Sequence, residues 1–208
     1  MKTWLLRPFD RIAGGPALGL GLAVIGLTAI AAASAGLHTD GVLDLHFGPT
    51  VPVWVLLVQG LINWLCLGLV LYALGRWLSP TRFRTIDLFG TQALARWPML
   101  IGVAYMAIPG ISGRIEHHTT RLMAAIPDDP SKVMASSEYL LDAMWLMVIS
   151  LPVLGALIWM IWLMAHGYAL VTNLKGQRVV FSFIGGLVIA EILSKVLIHY
   201  LVVHTGNL

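Results

Sequence analysis

The chain has 208 residues, 58% hydrophobic and only 11% charged, with a mean hydropathy of +0.84. A soluble domain carries about 25% charged residues, so 13 Lys and Arg and 10 Asp and Glu are too few to wet a 22.6 kDa globule. This composition excludes a soluble enzyme, a disordered tail and a nucleic-acid binder, and the single cysteine, Cys66, excludes an internal disulfide framework and a cysteine-rich metal site.

What remains is an all-α, polytopic membrane protein. A bilayer core about 30 Å thick needs roughly 20 apolar residues in a helix, and five stretches qualify: 15–37, 52–74, 89–111, 143–170 and 179–203. The fourth is long enough to tilt, or to bend at Pro152. Ahead of the first, Trp4, Leu5, Leu6 and Phe9 stand among Lys2, Arg7 and Arg11. Such a segment either lies in the headgroup layer or is a plain flank. Ala33-Ser34-Ala35 has the look of a signal-peptide cleavage site, but the apolar run before it is longer than a signal core, so an uncleaved first span is expected.

Basic residues orient the set. With a cytoplasmic amino terminus, Lys2, Arg7, Arg11, Arg76, Arg82, Arg84, Lys175 and Arg178 lie inside, and Arg114, Arg121 and Lys132 outside. Positive charge concentrates on cytoplasmic loops, so the amino terminus is expected inside and the carboxyl terminus outside, as in a bacterial inner membrane. The one long outer loop, 112–142, reads as an interfacial helix bearing Ile115, Leu122 and Met123. A turn at Pro127-Asp128-Asp129-Pro130 follows, in which Asp129 caps the helix that feeds the fourth span.

Ionisable side chains within spans are costly and are functional candidates by default. Glu191, Lys195 and His199 follow at steps of four, on one helix face. They form either a structural ion pair or a proton relay. Arg96, inside the third span, keeps its charge and must pair or snorkel; Asp87 and Glu191 are its expected partners. Gln59 and Asn63 are expected to hydrogen-bond a neighbouring helix. Gly15, Gly19 and Ala23, and Gly185-Gly186 with Ala190, make small-residue rows where helices approach closely.

Two histidine-acid groups raise a metal reading: His38, Asp40, Asp44 and His46 in the first outer loop, and His117 and His118 beside Glu116. Their spacing matches no helix-borne metal motif, so solvated loop residues are expected and no metal or other cofactor is assigned. Gly110-Ile111-Ser112-Gly113 and Ala165-His166-Gly167 resemble segments of rhomboid intramembrane proteases. Their predicted positions place Ser112 and His166 on opposite faces, too far apart for catalysis.

Asp44-Leu45-His46-Phe47-Gly48-Pro49, just before the second span, resembles the Asp-Leu-Tyr-Gly-Pro motif of Yip1-domain membrane proteins, with His46-Phe47 where the tyrosine stands. The stretches 84–90 and 93–98, and Lys175-Gly176, resemble bacterial members of that family. The resemblance implies five spans and a non-enzymatic helical protein acting on membranes or partner proteins. Its expected contacts are the lipid bilayer, a second copy or another membrane protein. The alternative, from a different class, is a small transporter or ion-coupled channel subunit using Arg96, Glu191, Lys195 and His199.

Overall fold

The computed structural model describes residues 5–124 and 137–205. The expected turn at 127–130 and its cap Asp129 lie outside the described residues, as do Lys2, Trp4 and Lys132.

After a short 3-10 turn at Pro8–Asp10, helix α1 runs over Gly14–Ala35. Its ends are set by Gly14 and Gly36, at φ 61° and 63°, left-handed values that cost glycine little. Two short strands follow, β1 (Leu37–His38) and β2 (His46–Phe47), paired antiparallel with Leu37 opposite Phe47. The sequence reading contains no strand there; the ladder is too short to leave a period-two pattern.

Helix α2 spans Val53–Leu78, α3 Thr85–Leu94 and α4 Trp97–Met106. The break between α3 and α4 has a local cause. Pro98, at the start of α4, has no N–H and its ring crowds the carbonyl four residues back. The chain therefore tightens at Ala95-Arg96, where the Arg96 N–H donates to Ala93 O at 3.3 Å. Pro109 and Gly110, the latter at φ 91°, then turn the chain by 75° into α5 (Ile111–Ala124). The expected third span, 89–111, falls across this break and bend: its helical part lies in Thr85–Met106, which counts as a span only together with α5. Helix α6 covers Ser137–Thr172 and continues unbroken through Pro152; α7 covers Gln177–Thr205.

Helices α1, α2, α6 and α7 are each long and apolar enough to cross a membrane, and the bent Thr85–Met106/α5 pair makes a fifth span when taken as one. The chain is an all-α, multi-pass, membrane-embedded protein. Its exposed side chains fit that solvent: Met147, Leu151, Ile158 and Trp162 on α6, and Phe181, Val188, Ile192 and Val196 on α7, all face outward.

Packing centres on α1, which contacts α2, α3 and α4, while α7 lies chiefly against α2. Gly21 meets the α3 backbone at Ala93 and Leu94, and Gly90 meets Gly14 O and Leu18 N. The close approach therefore runs along Gly14, Ala17 and Gly21, not along the expected Gly15, Gly19 and Ala23; Gly15 and Gly19 face open space. In α7, Gly186 packs on Leu71 and Leu74 of α2 and Ala190 is buried, while Gly185 faces open space. Of the two alternatives for the amino-terminal flank, the headgroup-layer one does not hold at Phe9. Phe9 is buried and stacks on His166 with centroids 6.3 Å apart, so that side chain belongs to the core rather than to a headgroup layer.

Candidate functional site

The segment between β1 and β2 folds back over the bundle, and every polar residue singled out in α2 serves to hold it. Asn63 is 1% exposed and its Nδ2 donates to Thr39 O at 2.8 Å. Gln59 accepts from the Thr39 N–H at 3.4 Å and donates from Nε2 to Asp40 at 3.3 Å. The expected partner of Gln59 and Asn63 was a neighbouring helix. The actual partner is this loop, whose turned backbone leaves carbonyls and N–H groups that need satisfying in an apolar setting.

Helix α7 holds the loop from the other side. Lys195 Nζ lies 2.8 Å from Asp44 Oδ2 and 3.4 Å from Glu191 Oε1, and Glu191 Oε2 accepts from the Leu43 N–H at 2.9 Å. The remaining Asp44 oxygen, Oδ1, is 3.7 Å from His46 Nδ1. Two clusters that the sequence presents separately, the Asp44 motif and the Glu191–Lys195 pair, are therefore one charge group. The hydrogen bond from Lys195, with the ammonium's charge, holds the Asp44 carboxyl below its ordinary value of 3.8. His199, expected on the same face, is exposed and joins none of these contacts.

The rest of the motif shapes the same loop. Leu45 packs against the core. The Gly48 N–H donates to Gly36 O at 3.0 Å, and a side chain at Gly48 would strike the His38 ring. His38 itself is buried, with Nε2 2.7 Å from Pro49 O. This corrects the expectation of a solvated loop for His38: the ring is a packing element.

Arg96 departs from expectation. It is 9% exposed, yet it pairs with neither expected acid. Asp87 lies near Arg84 instead, at 3.9 Å, and Glu191 is committed to Lys195 and the Leu43 N–H. Among the described residues, Arg96 Nε and Nη2 have no hydrogen-bond partner, and neither has Asn63 Oδ1. Arg96 and Asn63 line a common, otherwise mostly apolar cavity of about 50 Å³ beneath the loop, together with Thr28, Thr39, Met99 and Asp44, whose carboxylate is neutralised by Lys195.

The two histidine groups do not converge. His46 lies 3.4 Å from Asp40 and its ring stacks on His38 at 5.9 Å. His118 Nδ1 is 2.7 Å from Asp142 Oδ1, with Arg121 3.4 Å from the same carboxylate; this cluster docks α5 on α6, and His117 packs edge-on against the His118 ring. Among the described residues, no three His, Cys, Asp or Glu side chains are placed to hold one metal ion. Ser112 stands with Gly36 at the far end of α1, while His166 touches Phe9 ahead of its start. The 22 residues of α1 separate them by about 33 Å, which no serine–histidine pair bridges.

Three contributors escaped the sequence reading. Gly41 sits so close to the Glu191 carboxylate that a β-carbon would collide with it; an isolated loop glycine among acids was the available signal. The Leu43 N–H and the Thr39 backbone act through main-chain groups that no side-chain pattern announces. Comparison with protein-family models, with curated proteins and with solved structures finds no match to this chain.

Proposed function

We propose that this chain is a non-catalytic integral membrane protein of Yip1-like type, working through contacts of its helices with lipid, with a second copy or with a partner membrane protein. The observation that supports this reading is the closure of the Asp44–Lys195–Glu191 group on itself and on the loop backbone. The titratable groups that adjoin the Glu191–Lys195 pair, Asp44 and His46, lie in the loop, and His199, the next titratable group along α7, stands outside the group. The charges fix a loop.

The same proposal places the protein in a bacterial-type cell membrane, with the amino terminus cytoplasmic and the carboxyl terminus outside. The eight Lys and Arg of the amino-terminal side against three opposite support that orientation. Purified protein in liposomes tests the function. Proton and ion flux equal to that of protein-free vesicles is expected for wild type and for Glu191→Gln. Flux that Glu191→Gln abolishes would favour the transporter reading instead.

A further inference from the structure

We propose that the cavity beneath the α1–α2 loop is a binding site for a phosphate- or carboxylate-type oxyanion, gripped by the Nε/Nη2 edge of Arg96. The acids nearest the loop are fully engaged: Glu191 Oε1 and Asp44 Oδ2 on Lys195, Glu191 Oε2 on the Leu43 N–H, and Asp44 Oδ1 facing His46. Lys195 thus holds both carboxylates in contact, whereas Arg96 has no acid in contact and feels Glu191 only from a distance. A guanidinium cannot shed its proton, and a buried cation without a counter-charge in contact is unfavourable. The two Arg96 nitrogens without a protein partner, Nε and Nη2, form the fork that binds two oxygens of one oxyanion side by side.

The cavity also specifies a donor. Asn63 spends Nδ2 on Thr39 O, which fixes the amide so that Oδ1, buried and without a protein partner, is left as an acceptor in the same cavity. The ligand therefore carries an O–H or N–H beside its oxyanion. A volume of about 50 Å³ matches a few waters and suits one small anionic group rather than a drug-sized molecule. The group has two sources, a free oxyanion such as inorganic phosphate or the headgroup of an anionic lipid. The site does not depend on the scaffold reading.

Thermal unfolding of the full chain separates the sources. In detergent, inorganic phosphate is titrated against chloride at equal ionic strength. In phosphate-free buffer, nanodiscs of phosphatidylglycerol are compared with nanodiscs of phosphatidylcholine. A saturable rise in Tm with phosphate assigns a free oxyanion; a rise with phosphatidylglycerol alone assigns a headgroup. In either case Arg96→Gln abolishes the rise. Arg96→Lys, which keeps the charge but lacks the fork, weakens the apparent Kd about tenfold and serves if Arg96→Gln does not fold. No rise in either arm for wild type, or a rise unchanged in the Arg96 variants, overturns the proposal.

Discussion

Asn63 is the most deeply buried anchor of the loop, and its cost is concentrated in one bond. Replacing it with Ala leaves Thr39 O buried without its 2.8 Å donor. An unsatisfied buried group costs about 1–3 kcal/mol, and that loss is the expected result of chemical denaturation of Asn63→Ala in detergent. Asp44 makes a pH prediction. Its carboxyl titrates below the ordinary 3.8 because Lys195 hydrogen-bonds to it. A lowered native value means that the stabilisation is fully present above the unfolded value and is lost as pH falls through the native one. Wild-type Tm should therefore fall more steeply than that of Asp44→Asn once pH drops below about 4; parallel curves would remove Asp44 from the account. At this scale the sequence was informative only over short range. The four-residue step from Glu191 to Lys195 was legible as a face-sharing pair. The Asp44 oxygen that binds Lys195 was not, because the two stand 151 positions apart in the chain and no local pattern encodes a long-range partner.

Among the elements, α1 and α3 carry the tightest requirement. A Cβ at Gly21 would stand 2.5 Å from the Leu94 N and the Ala93 carbonyl carbon, backbone atoms that cannot swing aside. Gly21→Ala is expected to cost about 1–3 kcal/mol through forced separation of the two helices. Gly19→Ala, in open space, is expected to be neutral or to stabilise by up to about 1 kcal/mol. Chemical denaturation of the pair checks the register of the packing face. Helix α5 is held to α6 by Asp142, which meets both His118 and Arg121. Asp142→Ala should release it, and faster tryptic cleavage at Arg114 and Arg121 is the readout. The long spans were legible because uninterrupted apolar length is itself the signal. The break and bend of the third were not, because Pro98 interrupts the helix where hydropathy continues and Pro109-Gly110 turns it into α5.

In the whole molecule, a membrane-embedded bundle holds a loop against its helices through side chains of α2 and α7. The proposed orientation predicts opposite labelling of Thr50→Cys and Thr81→Cys, both at exposed positions, in a Cys66→Ser background with a membrane-impermeant thiol reagent. Composition revealed the membrane setting, but the anchoring of the loop was invisible to it, since a segment with His38, Asp40, Asp44 and His46 has the make-up of a solvated turn, and His46 does stay exposed. What ties it to the bundle is the complementarity of Gln59, Asn63, Glu191 and Lys195, spread over two helices. The central claim, that Asp44 and Lys195 act as one unit tying that loop to α7, is tested most directly by a double-mutant cycle on Asp44→Asn and Lys195→Met. Melting the four proteins in the same detergent should give a double variant no less stable than the weaker single variant. Losses that simply add would contradict the account.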